Sequence, residues 1–240
     1  MVALYRDTGV VLRTYKLGEA DRIVVLMTRG RGKVRAVAKG VRKTKSRFGA
    51  RLEPTSHVNL QLYEGRGELD IVTQAEGVEP FRHLRESLAK LERAVAMLEV
   101  IDQVAQEGEP NEPLYELLIG GLRTAEHRDS PLVTPAFFLK LLGIEGVGLY
   151  VDGCVQCGRE DSLTSVDLDD GGLRCVDHPG SQAVSPGAVM VLQQILGGHL
   201  AWALDQPVNS ATFEVDHLAH TAMERHVDRR LRALRLIDHS

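Results

Sequence analysis

Two short ligand pairs define the chemistry open to this 240-residue chain: Cys154-Val-Gln-Cys157 and, seventeen residues further on, Cys175-Val-Asp-His178. Thiolates and imidazole are soft or borderline donors. Four of them in two close pairs, each on a tight turn such as Cys157-Gly158, suit a tetrahedral zinc ion. All three cysteines of the chain are used in this way. Four protein ligands close the coordination shell and leave no position for an activated water. One structural zinc per chain is therefore expected, held by Cys154, Cys157, Cys175 and His178. Without a metal, the same residues would be buried thiols beside a surface histidine. An odd number of cysteines does not suit a disulfide framework. Committing every cysteine to a metal also removes Cys-His nucleophilic catalysis, and the chain contains no P-loop, G-x-S-x-G or H-E-x-x-H motif. It is expected not to be an enzyme.

A second group binds rather than reacts. From Arg29 to Arg51 the sequence RGRGKVRAVAKGVRKTKSRFGAR carries ten Lys or Arg and no acid. Its first half alternates, with Lys33, Arg35, Val37 and Lys39 on one face of a strand and Val34, Ala36 and Ala38 on the other. Past Gly40, Arg42, Lys43, Lys45, Arg47 and Arg51 follow with no apolar stripe, as in an exposed loop. A solvated face normally mixes both signs, whereas an unneutralised run repels itself unless a polyanion is near. Arg35, Lys39, Arg42, Lys43, Lys45, Arg47 and Arg51 are thus expected to hold nucleic-acid phosphates. Base-stacking platforms are few: Tyr5, Tyr15, Tyr63 and Phe48, of which Phe48 alone is embedded among the cations. Backbone-dominated binding with little sequence preference follows.

The elements that position these groups are legible from periodicity. Five strands are predicted at about residues 8–15, 21–28, 33–39, 57–63 and 69–75, with glycine-bearing turns between them. Five short strands with one polar face suit a small closed barrel: an OB fold first, an SH3-like barrel second. From Phe81 the period becomes helical through Leu84, Leu88, Leu91, Val95 and Leu98. Later helices open at Asn111, at Thr134-Pro135 and at Ser185-Pro186, and a last one runs from about Phe213 to Ile237. The residues SLTSVDLDDGGLR between the ligand pairs read as a hairpin. Asp216, His217, His220, Glu224 and His226, crowded at the start of the last helix, read as ordinary surface residues. The fold class is multi-domain α and β, with an OB-fold nucleic-acid-binding domain at 1–80, a helical domain at 81–150 and 180–240, and an inserted zinc-finger-like module at 151–179. Residues 1–80 carry a net charge of +6 and the remainder −10, which argues for different partners. No apolar run reaches the length of a membrane span and MVALYRDTG lacks an apolar leader core, so a cytoplasmic protein with no membrane partner is expected.

With these elements placed, the chain resembles the RecO family of bacterial recombination mediators. The most specific stretch is residues 9–54, where the G-E-x-D turn at Gly18 to Asp21 and the AVAKGVRKTKSR segment look like the family pattern. The F-x-L-K-L-L segment from Phe137 and the cysteine pairs extend the similarity. The resemblance implies an N-terminal OB fold, a helical C-terminal region and a zinc module. It also implies binding of single- and double-stranded DNA, annealing of complementary strands and, with RecR, help for RecA in replacing single-strand binding protein. A groove for the tail of that protein is expected among the later helices, with Arg225, Arg229 and Arg232 as candidates. Two features depart from the pattern: Leu149-Tyr150-Val151-Asp152-Gly153 stands before the first cysteine, and the fourth ligand is His178 where many relatives have Cys. Two other classes fit the same residues, a protein adaptor whose basic region grips an acidic partner and a zinc-dependent nucleic-acid enzyme.

Overall fold

The computed structural model describes residues 3–44, 46, 48–65 and 67–228. Five strands, β1 (Leu4–Leu17), β2 (Asp21–Thr28), β3 (Gly32–Ala38), β4 (His57–Tyr63) and β5 (Asp70–Glu79), close into a barrel in the order β1-β2-β3-β5-β4. All pairings are antiparallel except β3 with β5, and that parallel closure is the OB topology, which excludes the SH3-like alternative. Alternation does what the period-2 pattern requires. On β3, Val34, Ala36 and Ala38 are buried while Lys33, Arg35 and Val37 stay partly exposed. β1 is longer than its apolar run because it must serve two partners, pairing β4 from Leu4 to Val10 and β2 from Gly9 to Leu17. A bulge between Val11 and Arg13 shifts its register, and Val10, Val11 and Leu12 are all buried as a result.

Phe48 corrects the sequence reading. It is 1% exposed and packs in the barrel core with Val24, Leu26 and Leu62, so it is no stacking platform. The loop after β3 turns back through a 3₁₀ turn at Gly49–Leu52, and Phe48 and Leu52, four residues apart, both enter the barrel interior. Surrounding charge concealed an apolar anchor. Tyr5 is also engaged, donating its hydroxyl to Asp70 with the Arg31 guanidinium 3.8 Å over its ring. Tyr15 and Tyr63 remain exposed.

The barrel belongs to a compact unit that runs to His127 and includes α1 (Leu88–Val104) and α2 (Glu112–His127). The helical period starts at Phe81, but residues 82–86 form turns and α1 begins only at Leu88. The buried Glu126 carboxylate accepts the backbone N–H groups of His83 (3.1 Å) and Leu84 (2.8 Å), and Ser87 then caps α1 through the Lys90 N–H. Phe81 and Leu84 are buried all the same, whereas Leu88, expected on the inner face, is 73% exposed. Inside the unit Asp102 of α1 is buried, 2.7 Å from the Arg13 guanidinium and 3.8 Å from Lys33 Nζ. On α2, Asn111 caps the N–H of Leu114 at 3.0 Å, and Leu114, Leu118 and Leu122 face inward as expected.

The second unit comprises residues 128–228 of the described chain. It contains α3 (Val133–Ile144), β6 (Leu163–Asp167), β7 (Gly172–Cys175), β8 (Gln182–Ala183), α4 (Pro186–Leu196), α5 (Leu200–Leu204) and α6 (Ser210–Val227). Strands β6 and β7 form the expected hairpin; β8 and α5 are too short for periodicity to reveal. Phe137, Phe138, Leu141 and Leu142 of α3 are buried, and α3 and α4 both pack on α6. α6 starts at Ser210 rather than Phe213, because Asn209 and Thr212 form a reciprocal capping box. Its expected extension to Ile237, with Arg229 and Arg232, lies outside the described residues.

Within the first unit His57 of β4 is a buried imidazole. Its Nε2 lies 3.0 Å from the Tyr115 hydroxyl, its ring stacks on Phe81, and Nδ1, 3.7 Å from a Glu79 oxygen, makes no hydrogen bond. Burial pulls its pKa below the ordinary imidazole value, with Glu79 opposing. The unfolded chain therefore binds this proton more tightly. The stability tied to neutral His57 is complete above the unfolded value of ~6.5 and is lost as pH falls through the lower folded one. Thermal melts taken between about pH 7.5 and about pH 5.5 should show destabilisation on acidification that His57→Gln reduces. An unchanged pH dependence in that variant would contradict the assignment.

Candidate functional site

The four metal-ligand candidates converge. The donor atoms of Cys154, Cys157, Cys175 and His178 all lie within 4.8 Å of one another. Two turns deliver them. In the first, Gly158 donates its N–H to Cys154 O at 2.8 Å and adopts φ +76°, a left-handed conformation that suits glycine. Val155 N–H donates to Leu173 O at 2.9 Å and so fastens that turn to β7. In the second, Cys175 ends β7 and its carbonyl accepts the His178 N–H at 3.0 Å. Gly172 admits the close approach of chain around it, since a Cβ there would sit 2.5 Å from Tyr150 O. The Arg159–Asp177 ion pair spans the two turns.

The donor spacing fits a four-coordinate metal. Cys157 Sγ and Cys175 Sγ are 3.8 Å apart, and Cys175 Sγ and His178 Nδ1 are 3.5 Å apart. Tetrahedral bonds of about 2.3 Å to sulfur and about 2.05 Å to nitrogen give edges of about 3.8 and about 3.5 Å. Burial opposes ionisation of Cys154, but backbone hydrogen bonds from Cys175, Gln156 and Cys157 outweigh it and bring the thiol down to about 6, so it is ready to act as a thiolate. The histidines of α6 build no comparable group among the described residues. His220 packs edge-on to Phe138 and lies 3.3 Å from Asp216, and His226 is 3.4 Å from Glu145.

The cations of the barrel unit fall into two classes that the sequence did not separate. Those on and before β3 face acids. Arg29 binds Glu112 at 2.7 Å, Arg31 is 3.6 Å from Glu64, and Lys33 donates to Asp102 O at 2.8 Å. Arg35 stands 3.8 Å from Glu68 and 3.9 Å from Glu107. Those in the turn after β3 do not. Lys39, Arg42 and Lys43 are exposed, and Arg42 donates to Gly18 O at 3.2 Å, a contact that leaves its charge uncompensated. No acidic side chain among the described residues pairs with these three. Arg51 lies apart from them, its Nη1 3.5 Å from Ala75 O on β5. Lys45 and Arg47 lie outside the described residues. In the second unit, Arg225 is held by Asp169 at 2.8 Å.

Comparison with known proteins gives one consistent result. Residues 1–81 match the family described as Recombination protein O N terminal, and residues 85–235 match Recombination protein O C terminal. The chain is 42% identical to the DNA repair protein RecO of Frankia casuarinae, covering 96% of this chain and 97% of that one. It is 41% identical to the protein of the same name from Streptomyces coelicolor, covering 99% and 100% of the two chains. The family division after residue 81 and the compact-unit division after residue 127 differ, because α1 and α2 share a unit with the barrel.

Removing one donor should act on folding before it acts on anything else. Cys175 is fully buried at the end of β7, so Cys175→Ala should cost on the order of 3 kcal/mol of stability in the second unit. Addition of a strong chelator should lower the melting temperature of the unaltered protein in the same direction. A variant that melts with wild type and is indifferent to chelator would remove the metal from the structure's stability.

Proposed function

Because the chain belongs to the Recombination protein O family, we propose that it is a recombination mediator in DNA repair. It binds single- and double-stranded DNA, anneals complementary strands and, with RecR, helps load RecA onto DNA covered by single-strand binding protein. It works in the cytoplasm, at the nucleoid, with no catalytic step of its own. In this reading residues 1–80 are the DNA-binding domain, 81–150 and 180–240 the helical domain, and 151–179 the metal module.

One observation carries the proposal: Lys39, Arg42 and Lys43 are exposed on one turn at the end of β3 and, among the described residues, form no ion pair with an acid. Annealing needs screened strand repulsion and contacts that leave base edges free to pair, and phosphate contacts from an exposed cation supply both. Arg35 and Arg51 extend this footprint along β3 and towards β5, with Lys45 and Arg47 between them in sequence. Because Phe48 is in the core, stacking is left to Tyr15 and Tyr63, which supports sequence-neutral binding.

We assign the metal as zinc, one per chain. Three thiolates and an imidazole favour it among the common divalent ions, and a shell closed by four protein donors supplies no hydrolytic water. When bound, the ion would cross-link the two turns. Cys154 and Cys175 hold the buried side of that link, while the Arg159–Asp177 pair braces the exposed side.

The test is a salt series on labelled single-stranded DNA, read by anisotropy. Each phosphate neutralised contributes about −0.7 to the slope of log K against log salt, so replacing Lys39, Arg42 and Lys43 by Ala should flatten it by about two units for every sequence alike. The same variant should lose annealing of complementary oligonucleotides. A folded variant with unaltered slope would exclude this turn from the DNA site and favour an acidic protein as its partner.

A further inference from the structure

The two classes of cation have a structural cause. β3 is hydrogen-bonded to β5 only at Ala36 and Val37, so the edge of β3 from Gly32 to Arg35 needs another partner. The connector between α1 and α2 takes that place. Lys33 N–H donates to Gln106 O at 3.3 Å and Gly108 N–H donates to Lys33 O at 3.0 Å, with Glu107 bridged to Gly32 and Lys33. The fit is close: a Cβ on Gly32, which has φ +64°, would lie 1.9 Å from Glu109 O. A groove of about 340 Å³ runs between β3 and this connector, lined by the cations Arg31, Lys33 and Arg35 and by the acids Glu68, Asp70 and Glu107.

We propose that this groove is a gated phosphate subsite in which the Glu68 and Glu107 carboxylates occupy the place of a nucleic-acid phosphate until DNA displaces them. Their geometry sets the two glutamates apart from the third acid of the groove, Asp70, which is held by the Tyr5 hydroxyl and by the Gly65 N–H at 3.1 Å. Arg35 meets them at 3.8 and 3.9 Å, beyond hydrogen-bonding distance, and their side chains are 88% and 53% exposed, so they neutralise Arg35 without locking it. Asp102 differs: it is buried, grips Arg13 at 2.7 Å and belongs to the fold. A phosphate entering beside Arg35 therefore exchanges one loose anion for another and leaves the backbone pairing of the connector intact. Binding then has two stages, open contacts at Lys39, Arg42 and Lys43 followed by the gated one at Arg35. Such a gate would make the protein release weakly held strands readily and hold those that are pressed along β3.

The proposal rests on the DNA-binding reading above. The experiment compares wild type, Glu68→Gln, and Glu68→Gln with Glu107→Gln, on labelled single-stranded DNA across a salt series. Asp152→Asn with Glu160→Gln, two exposed acids of the second unit, serves as a control for net charge. The double variant should bind roughly two- to tenfold tighter than wild type and steepen the salt slope by about 0.7 for one phosphate gained, with the control close to wild type. Glu68→Gln alone should show part of the effect, and its exposure keeps folding out of the result. Wild type that binds with the same affinity and slope as both glutamine variants would overturn the gate and leave the DNA reading standing. An equal gain in the control would reduce the effect to net charge and overturn it too. Failure of every protein to bind would remove both readings together.

Discussion

The open edge of β3 is the constraint from which the arrangement of the first unit follows. Backbone N–H and C=O groups at a strand edge must be paired, hydrated or covered, and β5 reaches only the far half of this strand. Bringing the α1–α2 connector onto the near half requires glycine at position 32, places α1 against β1, and draws Lys33 to Asp102. It also carries Glu107 to Arg35. The helices that follow the barrel are thereby part of its closure, which is why the compact unit extends to His127 although the family division falls after residue 81.

That same contact alters what a charge count means. Ten cations without an acid between Arg29 and Arg51 suggest one continuous positive face. Folding splits them: acids from residues 64 to 116 compensate those before Ala38, and the turn after it keeps its charge. A screened field decays over about 8 Å at physiological salt, so a cation already in contact with an acid presents little net charge to a ligand beyond that reach. Among the described residues of this stretch, the cations that a ligand can meet without first breaking an ion pair are consequently those of the turn after β3, Lys39, Arg42 and Lys43.

In the second unit a different economy of structure operates. The module between residues 150 and 180 is small, with two short strands and few large apolar side chains, and cannot build a core of its own from them. Its order comes from backbone hydrogen bonds that lock the two ligand turns to β7, and from the donors those turns hold in common. Helices α3, α4 and α6 have no such need, since the near-continuous apolar surface of α3 packs against the other two.

What the sequence determined by itself was local. Alternation set the five strands and the inward faces of β3 and β4, caps at Asn111 and Ser185 set two helix starts, and the C-x2-C and C-x2-H spacings set the metal group, because each depends on neighbours only a few residues away. Tertiary structure decided the rest. Phe48 became core, the stretch before α1 became turns with Glu126 taking the His83 and Leu84 N–H groups, and the cations on and before β3 found distant acids, Arg29 meeting Glu112 83 residues away. Burial and charge pairing are set by which segments meet in space. A residue's own neighbours in the chain carry no record of that meeting, so the ligand set was readable from spacing while the division of the cations was not.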